Sequence, residues 1–341
     1  MSIKCTRLID DKTGESLNIR PNPNEIVTLV QSGNITEIRY TDAHSNGGTT
    51  RRISKDEYFD VRDGIVKQIE HHEKRTDDTQ SIKRSMKQAR DLINANCTNP
   101  EYCLWITLTY ADNMQDNTKL YNDFKYFKKK LDKVYSYDRY IIAVEPQGRG
   151  AWHIHMIAIF TEKAPFIPND VLRKLWGHGF VSVKALDKVD NVGAYLTSYL
   201  SDMPLEDYVG QAKGDIKEVE RTDENGNKVT KKYIKGARLK MYPAGMHIFR
   251  WSRNCVKPTV TKMTAKEAEK TVHGLTPTYE STKVIESIET EFKAVINIRA
   301  YNKVRGNKCN FQNTLKNGFH LKSLNYENRH TMHTAYTSIA T

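Results

Sequence analysis

Two imidazoles, His153 and His155, stand one residue apart in the run Ala151-Trp152-His153-Ile154-His155-Met156-Ile157-Ala158-Ile159-Phe160. Their neighbours are apolar and β-forming, which predicts a strand, and alternate residues of a strand share a face. Both rings then point the same way, and two imidazoles on one face can grip one divalent cation. Upstream, Glu145 closes the β-forming run Tyr140-Ile141-Ile142-Ala143-Val144-Glu145. The intervening Pro146-Gln147-Gly148-Arg149-Gly150 is turn-forming, so a hairpin would return Glu145 beside the histidines as an oxygen ligand. The competing reading is a buried histidine pair that only packs.

A second pair, Tyr195 and Tyr199, lies in Asn191-Val192-Gly193-Ala194-Tyr195-Leu196-Thr197-Ser198-Tyr199-Leu200. Residues four apart on a helix share a face, and with Leu196 and Leu200 alongside, such aromatics are usually core. Beside a His-x-His strand in a basic protein they are also candidate nucleophiles. A phenolic oxygen can attack a phosphodiester and form a phosphotyrosine, which keeps the bond energy for rejoining without ATP. The phenol's reference pKa of about 10 opposes this. A metal that polarises the scissile phosphate lowers the driving force that proton loss requires.

The elements that must position these groups follow from pattern. Leu104-Trp105-Ile106-Thr107-Leu108-Thr109-Tyr110 predicts a strand. Asp116 or Asn117 caps a helix with Leu120, Phe124, Phe127 and Leu131 on one side. Pro168-Asn169-Asp170 starts a short helix through Trp176 that Gly177 and Gly179 end, and Phe180-Val181-Ser182-Val183 predicts another strand. Asp190 or Asn191 caps a helix to about Asp202. With an antiparallel hairpin at its centre, this order predicts an α+β fold, a sheet of four to five strands with flanking helices. Upstream, residues 76–97 predict a basic helix with Ile82, Met86, Ala89 and Ile93 at helical spacing. Glu25–Val30 and Thr36–Tyr40 predict two strands around Ser32-Gly33-Asn34, and Asp223–Asn227 a hairpin tip. The boundaries drawn from composition are an accessory region 1–75, a nicking domain 76–205, a basic extension 206–262 and a partly ordered tail 263–341.

The chain has 341 residues with a net charge of +12, which favours a polyanionic partner such as nucleic acid. Between 213 and 262 there are 13 Lys and Arg against 5 Asp and Glu, making this segment the choice for binding origin duplex. Cys5, Cys97, Cys103, Cys255 and Cys309 are odd in number and form no Cys-x-x-Cys pair, which argues against a disulfide framework or zinc finger and fits a reducing, cytoplasmic setting. The opening Met1-Ser2-Ile3-Lys4-Cys5-Thr6 begins no apolar secretory stretch, and no apolar run is long enough to span a membrane. Trp105, Tyr110, Trp152 and Trp176 are candidates for stacking on single-stranded DNA, or else core.

Three motifs in order resemble the HUH endonucleases, specifically replication initiators (Rep proteins) of rolling-circle plasmids and phages of Gram-positive type. They are the Trp105–Tyr110 strand, His153-Ile154-His155, and Tyr195-x-x-x-Tyr199 on a following helix. Leu120–Lys125, Gly148–Ala151 and Ile248–Arg253 add to the likeness, which covers about residues 80–258. The resemblance implies a ferredoxin- or RRM-like sheet and Mn²⁺ or Mg²⁺ held by His153, His155 and Glu145, with Gln147 as the fallback for the acidic position. It implies that Tyr195 or Tyr199 attacks the nick site and stays linked to the DNA 5′ end while the free 3′-OH is extended. Relatives often carry lysine three residues after each tyrosine; here those places are Ser198 and Asp202, which leaves Lys184 or Lys188 as substitutes.

No Gly-x-x-x-x-Gly-Lys-Ser/Thr occurs, so unwinding would come from a host helicase and extension from a host polymerase. The partners implied are origin duplex and single-stranded DNA, no membrane, and room for a homodimer. A relaxase or transposase with the same parts, or a DNA-binding regulator without catalysis, are the alternative readings.

Overall fold

The computed structural model describes residues 3–8, 17–43, 50–69, 79–187, 189–199, 202–207, 216–222, 228–234, 237–243, 246–287 and 292–305. The chain divides into two compact units, one of residues 1–31, 36–73 and 259–306, the other of 32–35, 74–258 and 307–341.

The second unit holds α1 (Thr79–Asn96), β1 (Cys103–Thr109), α2 (Asn117–Val134), β2 (Arg139–Pro146), β3 (Trp152–Ile159), α3 (Asn169–Trp176), β4 (Val181–Ala185), α4 (Val192–Tyr199) and β5 (Phe249–Trp251). The strands form one five-stranded sheet in the order β4-β1-β3-β2-β5, with every neighbouring pair antiparallel. From β1 to β4 the connectivity is βαββαβ, the ferredoxin-like arrangement. The α+β expectation is met, with β5 as the fifth strand.

The period of two along each strand sorts the side chains into two cores. On one face Leu104, Ile106 and Leu108 of β1 and Ile154, Met156 and Ala158 of β3 meet Leu120, Phe124, Phe127 and Leu131 of α2 and Leu172 and Trp176 of α3. On the other, Trp105, Ile141, Ile157 and Ile159 meet Leu92 and Ile93 of α1 and Val192 and Leu196 of α4. Each such side chain contributes about 1.5–3 kcal/mol on burial. The caps set where the helices begin. Asp116 accepts from the Thr118 and Lys119 amides at 2.8 and 3.1 Å. The Asn191 side chain accepts from Ala194 N at 3.0 Å, so Asn191 rather than Asp190 opens α4. That helix is described to Tyr199; Leu200 and Ser201 lie outside the described residues.

All four aromatics considered for stacking on DNA are core: Trp105, Tyr110, Trp152 and Trp176 are buried. Trp152 Nε1 donates to the Gln115 carbonyl at 2.8 Å and Trp176 Nε1 to that of Thr109 at 2.6 Å, so their polar ends are also engaged. The stacking reading is therefore corrected for these residues.

After α4 the chain forms Met203–Pro204 and a hairpin of Ile216–Thr222 with Lys228–Ile234. Thr222 faces Lys228, bracketing the expected tip at 223–227, which lies outside the described residues. Met203, Ile234 and Ala237 make a small core that anchors the 3₁₀ turn Ala237–Met241.

The first unit is a six-stranded sheet in the order Ile3–Arg7, Pro277–Ser287, Phe292–Asn302, Ile35–Thr41, Ile26–Ser32, Thr259–Thr264. Strands from residues 1–75 and from beyond 259 thus share one sheet. The expected hairpin around Gly33 is present. The long Pro277–Ser287 and Phe292–Asn302 hairpin was not expected, because its strands bury polar side chains, among them Ser281, Thr282, Asn297 and Arg299, and carry little hydrophobic period. Residues 306–341 lie outside the described residues.

Candidate functional site

The β2–β3 hairpin does what the turn residues between Glu145 and the histidines require. Gly150 adopts φ 91°, the left-handed region, while Gly150 N donates to the Gln147 carbonyl at 2.9 Å and Gln147 N to that of Ala151 at 2.8 Å. The register places Glu145 opposite His153 and Ala143 opposite His155, and on the far side of β3 places Thr107 opposite His155 and Thr109 opposite His153. Glu145, His153, His155, Thr107 and Thr109 therefore share one face. It is the face covered lower down by α1 and α4.

His155 is held from both sides. Its Nδ1 accepts from the Trp105 indole Nε1 at 3.0 Å, with the Thr107 hydroxyl 3.1 Å away. An indole N–H only donates, so Nδ1 carries the lone pair and Nε2 the proton, which is donated to Glu145 Oε2 at 2.8 Å. His153 differs: its Nε2 is buried and has no hydrogen-bond partner. Burial pushes the His153 imidazole down to about 3, helped by the charges of His155 and Arg149. Burial likewise pushes His155 down to about 4, with the positive Lys184 adding to it. Both rings are thus neutral near pH 7, the state in which imidazole offers a lone pair to a metal.

Glu145 is buried, its side chain 5% exposed, and its other oxygen meets the Arg238 guanidinium from the Ala237–Met241 turn. Gln147, the fallback ligand, is engaged elsewhere, its amide oxygen accepting from Arg149 Nε at 3.0 Å. Two neutral imidazoles and a carboxylate fit Mn²⁺ or Mg²⁺ in donor type, and the orphaned His153 Nε2 is the buried polar atom such an ion would satisfy. As the side chains stand, no three His, Cys, Asp or Glu among the described residues form a group that could hold an ion.

The helix α4 brings Tyr195 to this face. The Trp105 ring stands edge-on to His155, centroids 5.3 Å apart, and edge-on to Tyr195, centroids 5.6 Å apart. Tyr195 is half-buried. The side chain of Tyr199 lies outside the described residues, as do Ser198's side chain and Lys188. Close approach of α4 to α1 depends on Gly193. A Cβ there would clash with the Arg90 carbonyl oxygen and stand 2.7 Å from Asn94 Oδ1, which already accepts from Gly193 N at 2.8 Å.

Sequence reasoning did not assign Trp105 and Thr107 to this site. Both alternate on the motif strand with period two, so register alone could have put them on the histidine face. Arg238 carried no such signal. Among the described residues no helix is long and apolar enough to cross a membrane.

Residues 103–204 match the family model of replication-associated proteins of the ORF2 type. No curated protein and no solved structure matches the chain. The matched span runs from the first residue of β1 past the end of α4, so it contains Glu145, His153, His155, Tyr195 and Tyr199. The chain is in this segment similar to replication-associated proteins, which supports a Rep-type protein with a role in replication initiation.

Proposed function

We propose that the protein initiates rolling-circle replication as an HUH-type nickase and strand transferase, cutting one strand at an origin by tyrosine attack. The observation that carries this reading is the Trp105 bridge, one indole touching both the His155 imidazole and the Tyr195 ring. A nucleophile and a phosphate-activating group must reach the same phosphorus, and a shared buried neighbour keeps them on one side of the sheet.

In the proposed step the Tyr195 oxygen forms the new bond to phosphorus and its proton is lost. The bond from phosphorus to the 3′ oxygen breaks, and that oxygen leaves with the electron pair and takes up a proton. The 5′ phosphate is then held on the tyrosine, and a host polymerase extends the 3′-OH, with a host helicase unwinding the duplex. Attack by the freed 3′ oxygen reverses the step and rejoins the strand. Mn²⁺ or Mg²⁺, when bound by His153, His155 and Glu145, would polarise the phosphate oxygens. Trp105 and Thr107 fix the His155 ring, and Glu145 holds it from the other side. Lys184, whose charge is felt at His155, is placed to offset phosphate charge in the role that Ser198 and Asp202 cannot fill.

The test is incubation with a labelled origin hairpin and Mn²⁺. A covalent adduct that survives boiling in detergent supports the nickase, and loss of adduct in Tyr195→Phe with retention in Tyr199→Phe supports Tyr195 as primary. Adduct in the double variant would end the tyrosine reading. Binding without adduct in the unmutated protein would favour a DNA-binding regulator. Adduct on transfer-origin or transposon-end hairpins instead would favour a relaxase or transposase.

A further inference from the structure

We propose that Arg238 is a built-in competitor for the ion site: its guanidinium and a divalent cation contend for the Glu145 carboxylate, so the ion is admitted when the arm bearing Arg238 moves aside. The proposal rests on the reading of His153, His155 and Glu145 as the ligands.

Arg238 arrives from far along the chain, yet its side chain is only 13% exposed and its Nη1 lies against Glu145 Oε1. An exposed pairing of this kind would signify little, but both partners here are withdrawn from water. The fit is incomplete, since Arg238 Nε is buried with no hydrogen-bond partner. A buried unmet donor is costly, which makes the closed arm easier to displace. The arm has two anchors. Ala237 sits in the small core with Met203 and Ile234. Tyr242 is buried, and its hydroxyl donates to the carbonyl of Val144, the residue before Glu145, at 2.8 Å.

A divalent cation at Glu145 would place like charges within a few ångströms in a partly desolvated site, where repulsion is strong. Arginine and ion therefore use the carboxylate in alternation. A displaced Arg238, still tethered by Ala237 and Tyr242, would present a planar fork suited to a DNA phosphate. Substrate that engages it would favour the open arm and so raise ion affinity, a reciprocal coupling.

The experiment measures Mn²⁺ affinity of the full chain from the free-ion EPR signal. Arg238→Gln is expected to bind Mn²⁺ about ten-fold more tightly or better, within the usual range of such couplings, while Arg238→Lys stays near the unmutated protein. Tyr242→Phe, which loosens the arm and leaves the guanidinium, should shift affinity the same way by less, and guards against misfolding of Arg238→Gln. Unchanged or weaker binding in both Arg238→Gln and Tyr242→Phe overturns the proposal. The His153→Ala/His155→Ala double variant separates this from the underlying reading. If Mn²⁺ binding survives loss of both imidazoles, or the unmutated protein and Arg238→Gln both bind none, the ligand assignment itself falls.

Discussion

Replacing Gly193 with alanine pits two known effects against each other. In a helix alanine is favoured over glycine by roughly 1 kcal/mol. Gly193 N–H is already bonded to Asn94 Oδ1, and an added Cβ would press on the Arg90 carbonyl oxygen, a backbone atom of α1 that cannot swing away. Overpacking of this sort costs about 1–3 kcal/mol. Because backbone must move, the upper part of that range applies, and the net expectation is destabilisation by about 1–2 kcal/mol. For a unit of this size that lowers the melting temperature by about 2–4 °C per kcal/mol. α4 must also shift away from α1, carrying Tyr195, two residues on, out of its place beside Trp105. Thermal unfolding in EDTA reads the first effect and covalent adduct yield on an origin hairpin reads the second. A Gly193→Ala protein as stable as the unmutated one, with full adduct yield, would show that the α1–α4 contact does not set the position of Tyr195.

The pH dependence has a definite sign. Both site histidines are depressed in the fold relative to about 6.5 when unfolded, so the unfolded chain takes up their protons first; stability is full above that value and falls as pH drops toward 4 and then 3. In EDTA the melting temperature should fall more steeply from pH 6.5 to 4.5 than in a His153→Asn/His155→Asn variant, and equal slopes would contradict the burial argument. Trp105→Phe keeps a ring against Tyr195 but deletes the donor to His155 Nδ1; a loss of about 1 kcal/mol and a reduced adduct rate are expected, and an unmutated-like protein in both assays would remove Trp105 from the site. Asp116→Ala deletes the α2 cap and should cost about 1 kcal/mol in thermal unfolding with adduct formation per folded molecule unchanged.

Residues 103–204 were readable because their signals are local. The His-x-His alternation fixes which side of a strand both rings occupy, and the turn residues after Glu145 dictate the hairpin that brings it opposite His153. Asp116 and Asn191 start their helices through bonds to amides two or three residues away. Nothing in those inferences needs knowledge of a distant part of the chain. The Arg238–Glu145 contact, the Trp105 bridge to Tyr195 and the shared sheet of residues 26–41 with 259–302 had no local cause. They arise when surfaces remote in sequence are brought together to bury area. The polar strands around Ser281 and Asn297 show the same limit, since a strand that buries hydroxyls and amides has no hydrophobic rhythm to read. The chemistry on offer, imidazole, carboxylate and phenol, is written in residue type and spacing. Which groups meet is decided by packing, because side-chain partners across a fold are selected by the whole core and not by their neighbours in the chain.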